Sequence, residues 1–505
     1  MRKNIVLLGL FGCLSLLHAA VSQTPPMGWN SYDAFNFSVT EAEFKASVDT
    51  MAKKYLQYGW NYAVVDWCWS FPGMGTQGTP NQGWNATGTT VTTRLNMDAY
   101  GRPMPDTVRH PSAKGGLGFK PLADYTHSKG LKFGIHLMRG VYRQAYWAST
   151  PVLGTTYNAH QIADTTKANQ CTWLDHVYAL NMNHPGAQAY LNSLMQLFAS
   201  WGVDFIKVDD LINPYGTPNY HQAELEGYRK AIDSCGREMV FSTSPGATPV
   251  AQAAHIASHA NQWRMANDLW DTWTSVNAMF ALCASWYTSI GPGHFPDADM
   301  IPIGRLSKRG PNGSTRYSNL TRTEQYTVMT LWSIFRSPLL YGGNPAENRA
   351  AEDSLLTNAD VIAINQNSSN NRPLATGNYP VWAANSPDTN VKYVALFNTT
   401  ASTATVSVAL SNFGPGSWSI RNVWTQTDIG TLSGTLSATV PSHGSVLFKL
   451  TVPGTPILFH ASKSQSGKLK GDRYEVRGRH VNSLNKTGAN RVPEEIYIQR
   501  DEKGN

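Results

Sequence analysis

"WGVDFIKVDDL", residues 201–211, is the stretch whose reading decides the fold. Val203, Phe205, Ile206 and Val208 make a short apolar run that reads as a buried strand. The run nevertheless carries Lys207 and closes on two consecutive acids, Asp209 and Asp210. A strand in a dry interior tolerates a cation and two carboxylates only if its end opens on something polar. Side chains two apart on a strand share a face, so Lys207 and Asp209 point to one side. Asp210 faces the opposite way and reads as a structural neighbour.

Working outward, further apolar runs recur at "NYAVVDWCW" (61–69), "LKFGIHLM" (131–138), "EMVFSTSP" (238–245), "QWRMAND" (262–268), "PGHFPDADM" (292–300) and "SPLLYGG" (337–343). Helical patterns at 41–56, 185–200, 219–235, 272–286 and 322–336 separate them. Continuous apolar strands alternating with amphipathic helices imply a parallel sheet. About eight units in residues 23–370 favour a closed (β/α)8 barrel over an open doubly wound sheet. No glycine-rich phosphate loop follows the first strand, which weakens the open-sheet alternative. From about 378 to 452 the texture becomes alternating, β-branched and turn-separated, as in "VKYVALFNTT" and "HGSVLFKLTV". It predicts a small antiparallel β domain. Residues 453–505 are polar, charged and poor in core residues, and read as a disordered tail.

The bulk properties narrow the class. At 505 residues the chain exceeds one small core, and its 16 tryptophans and 41% hydrophobic content mark it as globular. Many aromatic rings with only 15% charged residues fit a carbohydrate-handling protein, or equally a large aromatic core. The net charge of +7 is uneven. Residues 461–505 hold about ten Lys/Arg against about six Asp/Glu, so the remainder is only mildly basic, which argues against a nucleic-acid groove. "MRKNIVLLGLFGCLSLLHAAVSQ" has a basic start, an apolar run and small residues at Ala20 and Ser22, which predicts a secretory signal over 1–22. The expected product is extracellular or periplasmic, with no membrane anchor after cleavage. Cys68, Cys171, Cys235 and Cys283 then remain and permit two disulfides. Sequons at Asn36, Asn85, Asn312, Asn319, Asn367, Asn398 and Asn485 are compatible with export.

In a (β/α)8 barrel the active site lies at the carboxyl ends of the strands. Asp66, Asp268, Asp297 and Asp299 close other strands there, beside Asp209. Acids with a lysine and an arginine, without a Ser-His-Asp order or a metal-like cluster, suggest acetal chemistry. A glycosidase needs one carboxylate to attack and one carboxylic acid to protonate the leaving oxygen. Lys207 would keep Asp209 ionised, and drier surroundings would keep a proton on the partner acid.

"TPPMGWNSYDAF", "YAVVDWCW", "LADYTHSKGLKFGI", "WGVDFIKVDD", "WRMAND", "DADM" and "VIAINQ" occur in order over residues 24–366. Together they resemble the α-galactosidase and α-N-acetylgalactosaminidase family, glycoside hydrolase family 27, whose members are also called melibiases. The resemblance implies a (β/α)8 barrel, a C-terminal antiparallel β-sandwich and retention of anomeric configuration. It implies Asp209 as nucleophile and Asp268 as acid/base, with Arg264, Lys207 and Asp66 holding sugar hydroxyls. Asp299 and Met300 match pocket residues, Tyr32 stands for a site tryptophan and His136 for a tyrosine. Trp67 replaces the second of two adjacent acids, which removes a hydroxyl clamp. Leu211 replaces a cysteine, so the family's disulfide pattern is not kept. Ser244 stands where galactosidases often have a Glu and, with Ala247, resembles the N-acetyl-tolerant branch.

The leading expectation is a secreted retaining exo-α-glycosidase, an α-galactosidase, acting on carbohydrate without metal or organic cofactor. The runner-up is an α-N-acetylgalactosaminidase, or an enzyme for β-L-arabinopyranose or α-linked glucose. The rival class is a non-catalytic sugar-binding protein, against which both Asp209 and Asp268 speak. The sequence leaves the oligomeric state open.

Overall fold

Eight parallel strands carry the larger part of the chain: β1 (Met27–Asn30), β2 (Tyr62–Val65), β3 (Lys132–Met138), β4 (Phe205–Ile212), β5 (Val240–Pro245), β6 (Gln262–Arg264), β7 (Phe295–Asp297) and β8 (Leu339–Tyr341). These come from a computed structural model that describes residues 21–72, 86–87, 90–91, 95–174, 176–215, 219–309 and 312–454. Each strand pairs with its neighbour in chain order, and β1 also pairs with β8. A parallel bridge between Ile301, just past β7, and Tyr341 of β8 closes the circle. The strands are buried on both faces, which is why they read as unbroken apolar runs. At β1 only a glycine fits: a Cβ on Gly28 would collide with the Tyr62 carbonyl of the adjacent strand.

Helices on the outside of the sheet include α1 (Glu41–Lys54), α2 (Lys120–Ser128), α3 (Pro185–Trp201), α4 (Gln222–Ser234), α5 (Ala253–His259), α6 (Trp273–Trp286), α7 (Arg322–Phe335) and α8 (Ala359–Asn367). Their ends follow local chemistry. Thr40 opens α1 with a capping box to Glu43, and Thr321 does the same for α7 with Glu324. Phe44, Val48 and Met51 then recur at helical spacing and bury the inner face of α1. An insertion after β3 folds a small antiparallel sheet from Val141–Tyr142, Ala163–Asp164 and Val177–Leu180. It carries no strong period, and the sequence gives no warning of it.

The C-terminal domain is antiparallel throughout. Six strands, Ser369–Ala375, Val381–Asn385, Val391–Phe397, Ser445–Thr451, Trp418–Asn422 and Asp428–Leu432, make one sheet in that spatial order. Ala404–Ala409 and Thr435–Val440 make the second. The first strand starts ahead of residue 378, where sequence texture alone begins the domain. Alternation sorts the central strands. Val381, Ala383, Val394 and Leu396 pack towards the second sheet, whereas Trp382, Ala384, Ala395 and Phe397 join the core of the barrel.

Two expectations are corrected. Cys68, Cys171, Cys235 and Cys283 are free thiols, sited on four separate segments, so the anticipated disulfides are not formed. The sequon residues Asn36 and Asn398 are wholly buried, with side chains donating to Tyr32 O and to Val440 O, and are no glycan acceptors in the folded chain. The signal reading over 1–22 falls almost entirely outside the described residues, as do Asn85, Asn485 and all but the first two residues of the tail. No helix among the described residues is long and apolar enough to cross a membrane.

Candidate active site

The carboxyl ends of the strands converge on a pocket of about 330 Å3. Asp66 and Trp67 enter it from β2, Lys207 and Asp209 from β4, and Asp268 from the loop after β6. Tyr32, Asp299 and Met300 complete the wall expected from the sequence.

Strand β4 answers the puzzle of its paired acids. Its register with β5 runs evenly from Phe205–Val240 to Val208–Thr243, and the next pair is Ile212–Pro245. Asp209, Asp210 and Leu211 therefore stand opposite Ser244 alone, a bulge. Asp210 sits at φ +67°, in the left-handed region. Bulges of this kind re-aim side chains beside active sites. Asp209 is turned into the pocket and Asp210 away from it.

Asp209 lies between two groups from neighbouring strands. His136 Nε2 is 3.0 Å from its Oδ2, and Lys207 Nζ is 3.7 Å from its Oδ1. Burial would raise its pKa, but Lys207 and His136 outweigh burial and hold the carboxylate well below its usual range. Lys207 also donates to Asp66 Oδ2 at 3.1 Å. Burial alone would favour its neutral form, yet Asp209 and Asp66 keep it protonated. Asp66 accepts further bonds from Asn30 Nδ2 and from the Trp67 backbone, each at 2.7 Å, and is likewise held ionised against its burial. The Tyr32 ring covers Lys207 at 5.8 Å.

Asp210 serves a separate network. Arg139 Nε donates to it at 2.8 Å and Arg139 Nη1 to Glu224 at 2.7 Å, with the guanidinium wholly buried. Trp173 Nε1 donates to the other Asp210 oxygen at 2.7 Å. The second acid thus anchors an indole that itself lines the pocket, 6.4 Å from the Trp67 ring.

On the opposite side, Arg264 Nη2 contacts Asp299 Oδ2 at 2.6 Å and Asp268 Oδ1 at 3.3 Å. Asp299 is held at φ +82° and accepts from the backbones of Leu269 and Met300. Burial pushes its pKa up despite Arg264, and pushes Asp297 below it up to about 6. Asp268 differs from both, because its side chain is 53% exposed. The drier surroundings expected of a proton donor belong to Asp297 and Asp299, whereas Asp268 lines the pocket with an open carboxylate.

Three residues expected to touch the sugar stand behind the wall. His136 and Ser244 back Asp209, and Arg264 backs Asp268 and Asp299. Ser244 is fully buried and Ala247 is at the surface, so neither widens the pocket; Pro245 lines it instead. Asp33, Trp173, Pro214, Tyr215, Asn267, Leu269 and Trp270 also stand in the wall, beyond the residues expected from the sequence. Asn267, Leu269 and Trp270 flank Asp268, and Asp33 adjoins Tyr32, so adjacency was their signal. Trp173 and Tyr215 come from insertions without period or motif. Gly342 makes room for Asp33, since a Cβ there would strike its carboxylate.

Residues 171–367 match the family described as alpha galactosidase A, and residues 376–450 match the alpha galactosidase C-terminal beta sandwich domain. Among solved structures, a β-L-arabinopyranosidase from Geobacillus stearothermophilus is 42% identical, with a TM-score of 0.81, over 86% of this chain and 98% of its own. A variant of that enzyme has been solved in complex with arabinose, again at 42% identity and a TM-score of 0.81, over 85% of this chain and 98% of its own. Among curated proteins, the α-galactosidase of Cyamopsis tetragonoloba is 28% identical over 86% of this chain and 88% of its own. The human α-N-acetylgalactosaminidase is 26% identical over 72% and 74%. With both domains matched and a relative this similar along nearly its whole length, the chain belongs to glycoside hydrolase family 27 and is a glycoside hydrolase.

Proposed function

We propose that the protein is a retaining exo-glycosidase for terminal α-D-galactosides, with Asp209 as nucleophile and Asp268 as acid/base. One observation carries the reading: a buried carboxylate kept ionised by Lys207 and His136 shares a single pocket with a second, accessible carboxylate from another strand end. In the first step an Asp209 oxygen bonds the anomeric carbon, the glycosidic bond breaks, and Asp268 gives its proton to the departing oxygen. In the second, water attacks the same carbon and yields a proton to Asp268, while Asp209 leaves as carboxylate. Two inversions retain the configuration. Lys207 and Asp66 take ring hydroxyls. A sugar-binding protein without catalysis needs neither acid.

A second reading is favoured by Trp67. β-L-Arabinopyranose is the galactose ring without its C5 hydroxymethyl group. An indole in place of a carboxylate removes a hydroxyl acceptor and adds an apolar face beside Trp173. The arabinopyranosidase relative points the same way.

A panel of nitrophenyl glycosides, followed by NMR of the first-formed anomer, tests both. Release of the retained anomer from α-galactoside supports the first reading, and preferential release from β-L-arabinopyranoside the second. An inverted product, or no hydrolysis of either, overturns the proposal.

A further inference from the structure

Away from the pocket, Glu226 of α4 faces His255 and His259 of α5, and one ligating atom from each lies within 4.8 Å of the others. The two histidines are four residues apart on one helix, the spacing that puts two imidazoles on the same face. Their rings stack at 4.2 Å between centroids. His255 Nε2 is 3.0 Å from Glu226 Oε1.

Both Nδ1 atoms are engaged by the protein. That of His259 lies 2.8 Å from the His255 carbonyl, to which it can only donate, so Nε2 keeps the lone pair. That of His255 meets the Tyr220 hydroxyl. Hydrogen bonds to the far ring nitrogen fix tautomer and orientation in metal-ligating histidines. Gln222 Nε2 adds a donor to the Glu226 carboxylate at 2.9 Å and steadies it.

We propose that Glu226, His255 and His259 form a binding site for a divalent transition-metal ion of the zinc class. Two imidazoles and a carboxylate are a borderline donor set, suited to zinc and its neighbours and not to calcium or magnesium. With bonds of about 2.0–2.2 Å, ligand atoms around a tetrahedral zinc stand about 3.3–3.5 Å apart, so Glu226 and His255 need almost no movement, and His259, within 4.8 Å of both, closes the remaining gap on loading. On loading, His255 gives up its Nε2 lone pair to the metal and carries its proton on Nδ1, where the Tyr220 oxygen accepts it. Water takes the fourth position, because the Glu226 side chain is 46% exposed. The site takes no part in glycoside cleavage. Through Tyr220, which bridges Ile212 at the end of β4, it ties two outer helices to the strand that carries Asp209.

The test is calorimetric titration of the untagged, EDTA-stripped full chain with zinc chloride, together with visible absorption on adding cobalt(II). Saturation at one ion per chain is expected, with a tetrahedral cobalt spectrum, and both should disappear in His255→Gln/His259→Gln. Glu226→Gln, an exposed change that leaves both rings in place, should weaken zinc binding at least tenfold and guards against a misfolded double variant. The proposal falls if the wild type takes up no zinc, or if these variants bind it as tightly as the wild type.

Discussion

Asp209 and Asp210 are successive residues whose carboxylates belong to different networks. One faces the pocket between His136 and Lys207; the other is buried against Arg139 and Trp173. A bulge opposite Ser244 and a left-handed φ at Asp210 make the divergence. The reactive group and the group that positions a pocket wall are therefore set by a single local irregularity of β4.

Asp209→Asn removes the attacking oxygen while keeping its size. Turnover should fall by about 10⁴-fold or more, as for the loss of other catalytic groups that act as a unit. Some thermal stability should be lost as well, because Lys207 and His136 lose the carboxylate they face, so rates are compared where the variant is folded. Initial rates on the better nitrophenyl glycoside check this, and near-native activity would sink the assignment.

Arg139→Met strands two buried acids, Asp210 and Glu224, without their cation. Removing one partner of a buried ion network costs about 3–5 kcal/mol. The midpoint of urea unfolding should drop accordingly. An unchanged midpoint would mean that water reaches both carboxylates.

Asp297 supplies a pH dependence of stability. Its folded-state pKa, about 6, lies above the ordinary carboxylate value, so the native chain binds this proton more tightly than the unfolded chain. Ionisation therefore removes stability as pH rises from about 4 to 6, by on the order of 3 kcal/mol at most. Asp297→Asn abolishes the effect, and the Gln262 amide can turn its oxygen to the new amide group. The melting temperature of the variant should exceed that of the wild type by a margin that is small near pH 4 and full above pH 6. A margin independent of pH, or of opposite sign, would refute the account.

Trp67→Asp restores a carboxylate beside Asp66. If Trp67 faces the C5 side of the sugar, kcat/KM for α-galactoside over β-L-arabinopyranoside should rise about 10- to 200-fold, the range open to a changed contact of 1–3 kcal/mol. No change in the ratio would move the determinant to the Trp173 or Trp270 side of the pocket. Ser244→Glu is expected to lower the midpoint of urea unfolding sharply and not to retune specificity, since Ser244 is fully buried against Asp209.

The barrel was legible because its strands are apolar on both faces and its helices keep one apolar stripe. The acids at strand ends were legible because nothing else explains charge there. Three kinds of feature were not. Whether a residue such as His136, Ser244 or Arg264 meets the sugar or stands one layer behind depends on strand register and bulges, which leave no mark in a single sequence. Trp173 and Tyr215 arrive on insertions that obey no period. The exposure of Asp268 follows from loop geometry, whereas the need for a protonated donor predicts a dry setting.

The six-stranded sheet of the C-terminal domain sends Trp382 against Phe335 and Tyr287, and Phe397 against Phe280. His443, in the turn before its last strand, stacks on Trp273 at 4.0 Å and bonds Glu324, the capping-box partner of Thr321 in α7. The join near residue 368 is therefore a seam in the chain and not in the energetics. An expression clone that stops there would leave a greasy wall on α6 and α7 and strip Glu324 of its His443 partner. Recombining this barrel with another family's appendage requires transplanting that wall as well.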